Sequence, residues 1–155
     1  MELSKQQYRQ VKKVLEQIYK YCGTYDPFLI SKKFNINVSV IPLKGLSGIS
    51  DISPAGHATI YLSSALNSYA KKIVCAHELG HIFLHRDTEL NLFTVDGNKN
   101  SLTEYEANIF ALELLPHIKP INYFQYSKEE LQSYIEKKVF SNIYTLTEQI
   151  NDNAF

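Results

Sequence analysis

The run His77-Glu78-Leu79-Gly80-His81 is an H-E-x-x-H pattern. On a helix, a four-residue step turns through about 400° and rises about 6 Å, so both histidines project from one face, one turn apart. Two imidazoles so placed can hold one Zn²⁺ at Zn–N distances of about 2.0–2.1 Å. Glu78 lies about 100° round the helix from His77 and falls outside the pair. It is placed to take a proton from a water at the metal, the general-base role in metal-assisted hydrolysis. The plain alternative is an ordinary helix with a stacked histidine pair. Context weighs against it, because the motif is central on a long helical pattern, follows a strand, and shares its side with Ile73, Val74 and Leu84.

Catalytic zinc usually takes three protein ligands and leaves one position for water. His85 continues the i, i+4 series, but from His77 it is displaced by about 12 Å of rise, too far for one ion on a straight helix. It reads as a histidine at a helix C-terminus, where a positive charge is favourable. The extended pattern with a third histidine is also absent, since Leu84 and Asp87 occupy its Gly and His positions. The next helix offers Glu104, Glu106 and Glu113. Glu104 fits a capping box with Ser101, and Glu113 lies near the helix end. Glu106 precedes the core residue Ala107, on the edge of the buried face. The residues therefore rank Glu106 first as third ligand, Glu104 second and Glu113 third.

The elements that must position these groups are legible in outline. Tyr8, Val11, Leu15, Ile18, Tyr19 and Cys22 recur at helical spacing, between a Ser4/Gln7 capping box and Gly23. Asp26-Pro27 starts a second, short helix that runs to about Phe34. Strands are expected over 37–41, 48–52 and 57–62, the last two joined as a hairpin through Ser53-Pro54-Ala55-Gly56. In the third strand Ala58, Ile60 and Leu62 share one face. The metal-bearing helix should span about 67–86, followed by a polar loop over 87–100. A helix from Ser101 carries Ala107, Phe110, Ala111, Leu114 and Leu115 as its core face and ends at Pro116. Further helices are expected over 128–139 and 141–151. The fold class is α+β and zincin-like: a small, twisted, three-stranded sheet packed on the H-E-x-x-H helix, with flanking helices.

Composition sets the frame. The chain has 155 residues, 45% of them hydrophobic and 21% charged, which suits one globular domain over 1–155. Lys+Arg and Asp+Glu are both 16, and this zero balance argues against direct nucleic-acid binding. Two cysteines are too few for a disulfide framework, and Cys22 and Cys75 both read as small buried hydrophobes. A polar start and the lack of a long apolar run predict neither a secretory signal nor a membrane span, hence a cytoplasmic protein.

The run Thr59-Ile60-Tyr61-Leu62-Ser63-Ser64, followed after a spacer by Ala76 to His85 and then by Glu104-Tyr105-Glu106-Ala107-Asn108-Ile109-Phe110-Ala111-Leu112-Glu113-Leu114-Leu115-Pro116, resembles the ImmA/IrrE metallopeptidases. The resemblance covers about residues 24–116, and its two motifs together are highly specific. In many members a Met separates the last Leu from Pro; here Pro116 follows Leu115 directly. The tail from His117 has no match to a known pattern. The resemblance implies a zinc endopeptidase with one Zn²⁺ per chain on His77, His81 and Glu106, and Glu78 as the catalytic base. It implies as substrate a helix-turn-helix repressor of prophage or mobile-element genes. The rival reading is a zinc-containing regulatory protein that inactivates its partner by sequestration; an intact Glu78 argues against that, since a structural site has no use for a base.

Several groups keep two readings. Tyr105, Tyr61, His57 and His117 are candidates to stabilise an oxyanion. Asn108 is either a support for the ligands or an exposed helical residue. The strand over 57–62 is expected to offer a free edge to which an extended substrate adds.

Overall fold

A computed structural model describes residues 5–85 and 101–139. The Ser4 cap, the whole of the expected 87–100 loop and the expected helix over 141–151 lie outside the described residues. Helix α1 spans Lys5–Cys22 and buries Val11, Leu15 and Ile18, the stripe expected from their spacing. It stops at Gly23, whose amide bonds the Tyr19 carbonyl at 2.7 Å with φ at 68°, a left-handed conformation that glycine adopts without strain. Helix α2, Pro27–Lys33, starts where Asp26 accepts hydrogen bonds from the Phe28 and Leu29 amides.

Three strands follow: β1 (Asn37–Ile41), β2 (Gly48–Ile52) and β3 (Ala58–Ser63). β2 and β3 form the expected antiparallel hairpin, with Ser50 opposite Ile60, closed by the Ser53 amide on the His57 carbonyl at 2.8 Å. β1 pairs with β3 in parallel, with Val38 opposite Ile60. The order is therefore β1-β3-β2. Ala58, Ile60 and Leu62 point into the core, as their alternation requires. However, β3 is central and paired on both sides, so it offers no free edge, contrary to expectation. Among the described residues the edge strands are β1 and β2.

Helix α3, Ser68–Leu84, is capped by Asn67, whose Oδ1 accepts from the Ala70 amide at 2.8 Å. It packs on the sheet, on α2 and on helix α4, Ser101–Leu114. The α3–α4 contact is the most extensive between elements among the described residues. A Cβ built at Gly80 would lie 3.0 Å from the Ala107 Cα and 3.0 Å from the Phe110 Cβ. Gly80 and Ala107 thus let the two helices cross nearly backbone to backbone. Short 3₁₀ turns at Pro116–Ile118 and Tyr123–Gln125 lead to helix α5 over 128–139, which buries Leu131, Ile135 and Val139. Glu113 ties these parts together, accepting from the Tyr123 hydroxyl and pairing with Lys119 and Lys12. No helix among the described residues is long and apolar enough to cross a membrane.

Candidate metal centre

Helix α3 is enclosed on nearly every side, so His77, Glu78, His81 and His85 are all buried. The helical step places the Nε2 atoms of His77 and His81 3.2 Å apart. From α4, the Glu104 carboxylate closes the triangle. Its Oε1 is 2.8 Å from His81 Nε2, and its Oε2 is 3.2 Å from His77 Nε2. Donor atoms about 2.1 Å from a tetrahedral ion lie about 3.4 Å from one another. Two imidazole nitrogens and one carboxylate oxygen at these spacings fit the donor set that zinc prefers, and could hold one such ion. Burial alone would raise the Glu104 carboxyl. Hydrogen bonds with His77 and His81, and their charge, outweigh that and hold it well below the usual carboxylate range.

The structure thus brings Glu104, ranked second in the sequence, and not Glu106, ranked first, to His77 and His81. The reason lies in the crossing of α3 and α4. His77 is one turn before Gly80, and Glu104 is one turn before Ala107. Where Gly80 meets Ala107, the residues one turn back also meet. Glu106 is about 200° round the helix from Glu104. Its Oε2 lies 3.7 Å from Nε2 of His85 instead. His85 in turn places its Nδ1 3.4 Å from Nδ1 of His81, on the side of that ring away from Glu104. Glu113 belongs to the cluster around Tyr123, Lys119 and Lys12. The small pair Gly80 and Ala107 was the signal in the sequence that could have selected Glu104.

Beside the three donors is a cavity of about 190 Å³. His77, Glu78, Glu104 and Asn108 line it on one side, and the loop Gly45–Gly48 on another. Gly48 lets β2 lie close to α3, since a Cβ there would fall 2.5 Å from Val74 Cγ1 and 3.6 Å from Glu78 Cγ. The third wall is α5, through Gln132, Ile135, Glu136 and Val139. That wall was missed in the sequence, because nothing local says where a tail helix docks. Asn108 is buried, not exposed; its Nδ2 donates to Gln132 Oε1 at 2.8 Å. Tyr105, Tyr61, His57 and His117 do not line the cavity. Cys75 is fully buried near Ser31 on another side of α3, and burial pushes its thiol up to about 12, the state of an inert packing residue.

Comparison with known proteins places this architecture. The family model described as the IrrE N-terminal-like domain matches residues 31–146. The chain belongs to the ImmA/IrrE family of metallopeptidases. The match runs through α5, further along the tail than the motifs legible in the sequence. An uncharacterized immunity region protein 2 from Bacillus phage phi105 is 34% identical over 116 residues, covering 70% of this chain and 69% of the relative. Metallopeptidase ImmA from Bacillus subtilis strain 168 is 37% identical over 90 residues, covering 53% of this chain and 52% of that protein. The chain thus spans about half the length of that ImmA. No solved structure matches. The mixed three-stranded sheet, the H-E-x-x-H helix and the crossing helix are the α+β, zincin-like arrangement expected of an ImmA/IrrE protein.

Proposed function

We propose that this ImmA/IrrE protein is a zinc-dependent endopeptidase of the cytoplasm that cleaves a helix-turn-helix repressor and so relieves repression of prophage or mobile-element genes. One observation carries the catalytic part: His77 and Glu104 of the His-His-Glu donor triangle line the same cavity as Glu78. In this reading His77, His81 and Glu104 are the ligands. When bound, zinc would act as a Lewis acid and lower the pKa of water towards about 7. Glu78 then holds the attacking water, accepts its proton and delivers it to the leaving amine. Its burial beside Gly48 and Val74 keeps bulk water from competing for that proton.

The edge strand β2 supports a peptide substrate. Ser47 and Gly48 line the cavity at its start, and Asp51 is its one charge. An extended segment laid beside β2 would add a strand through main-chain bonds and bring a peptide carbonyl towards Glu78. The repressor part rests on the family resemblance and on the phage immunity-region relative. The test is to incubate the zinc-loaded chain with the repressor encoded beside it. A discrete fragment that disappears with Glu78→Gln is expected. An intact repressor that is nevertheless released from its operator would favour sequestration.

A further inference from the structure

The α5 wall of the cavity has a chemistry of its own, separate from the three donors. Glu136 is exposed at its end and accepts a hydrogen bond from Gln132 Nε2 at 2.9 Å. A carboxylate has no proton to give, so this contact fixes which end of the Gln132 amide is which. Gln132 Oε1 must then accept, and it does so from Asn108 Nδ2 at 2.8 Å. That leaves Asn108 Oδ1 as an acceptor. It is buried in a residue only 1% exposed and has no hydrogen-bond partner among the described residues. A buried acceptor left alone is costly and calls for a donor. The atom this wall leaves without a partner, Asn108 Oδ1, is therefore an acceptor, and the remaining lone pairs of Glu136 accept as well, while Gln132 Nε2 and Asn108 Nδ2 each keep one further N–H. Among the described residues no lysine or arginine lines the cavity. Around these acceptors the lining is aliphatic: Val74, Ile135 and Val139.

We infer that this wall is a specificity subsite for a basic side chain of the substrate, arginine or lysine, close to the scissile bond. Such a side chain has an apolar stem for Val74, Ile135 and Val139, and a head that donates hydrogen bonds and accepts none. Its cation pairs with Glu136, and its N–H groups satisfy the acceptors that the Gln132 amide has oriented. Asn108 lies one helical turn beyond Glu104 on α4, so the subsite begins beside the metal centre. α5 would then do more than enclose the cavity: it would select what enters.

The inference rests on the peptidase reading for its meaning, and binding tests it apart from cleavage. The probes are degenerate decapeptide libraries with one fixed position: arginine, lysine, citrulline, norleucine or glutamate. Each is titrated against the zinc-loaded full chain carrying Glu78→Gln. Arginine and lysine libraries should bind about tenfold more tightly than citrulline and norleucine libraries, the size of one charge-assisted pair. Glu136→Gln should erase that preference, and Glu136→Lys should turn it towards glutamate. Equal binding of all libraries, no binding of any, or a basic preference that survives Glu136→Gln would overturn the subsite. If basic libraries bind as expected but the wild-type chain cuts none of them, the subsite stands and the peptidase reading falls. If the wild-type chain cuts neutral and basic peptides alike, the reverse holds.

Discussion

Two carboxylates, Glu104 and Glu106, leave the same helix beside Ala107 and meet the same histidine-bearing helix on different sides. Glu104 touches the Nε2 atoms of His77 and His81 at 3.2 and 2.8 Å. Glu106 reaches only His85, at 3.7 Å. The first set converges on one point, as ligands must. The second forms a line: His81 Nδ1 to His85 Nδ1, then His85 Nε2 to Glu106. A ligand histidine that gives Nε2 to a metal keeps a proton on Nδ1, and a partner there fixes its ring and tautomer. The same residue types thus form a triangle that could hold an ion on one side of the crossing and a line of contacts on the other. Position relative to the Gly80–Ala107 contact decides which.

The largest effects fall on the triangle. His77→Ala, His81→Ala and Glu104→Ala should each abolish stoichiometric zinc binding, because two donors compete poorly with water or a chelator. Metal content by mass spectrometry under native conditions reads this directly. A Glu104→Ala protein that keeps one zinc while Glu106→Ala loses it would reverse the comparison. Next is Glu78→Gln, which keeps the shape but cannot accept a proton. Zinc should stay bound while cleavage falls by about 10²–10⁴-fold. Cleavage near the wild-type rate would remove Glu78 from the chemistry.

How much of this was legible follows from where the information sits. Caps are local, so Asp26-Pro27 gave the start of α2. The hairpin and the inward set Ala58, Ile60 and Leu62 follow from turn chemistry and alternation over a few residues. The parallel pairing of β1 with β3 joins segments about twenty residues apart, and no local pattern encodes it. It made β3 central and β2 the edge. Which carboxylate meets His77 and His81 was hidden for a related reason. α4 is buried from Ala107 to its end at Leu114 without a break, Asn108 and Glu113 included, so no exposed polar face marks its direction there. The expected core face, Ala107, Phe110, Ala111, Leu114 and Leu115, is buried, but so are the residues between them, so it has no edge on which to place Glu106. Only the helix crossing orients α4, and only the small residues at 80 and 107 announce it.

That crossing can be stressed without touching any donor. Gly80→Ala puts a methyl 3.0 Å from the Ala107 Cα and the Phe110 Cβ, where backbone has to give way. Overpacking of this kind costs about 1–3 kcal/mol. Chemical denaturation of the apo protein should show that loss. Zinc affinity should fall as well, because separating the helices draws Glu104 away from His77 and His81. A variant with wild-type stability and affinity would mean that the close approach does not position the triangle.

The smallest expected effect sharpens the comparison most, because it asks whether the line does anything. Removing a group that supports a ligand typically lowers metal affinity by about 10–100-fold. His85→Phe, which keeps the ring and removes both nitrogens, should fall in that range. Glu106→Gln should fall at or below its lower end. At 3.7 Å its contact with His85 is an ion-pair spacing rather than a formed hydrogen bond, so less is lost. The two changes should also fail to add. Once His85 lacks its nitrogens, Glu106 has nothing to act through, and the double variant should bind zinc no more weakly than His85→Phe alone. Chelator competition on the four proteins measures the cycle. Additive losses would show that Glu106 acts on the centre by another route, and a loss from Glu106→Gln as large as that from Glu104→Ala would make it a ligand after all.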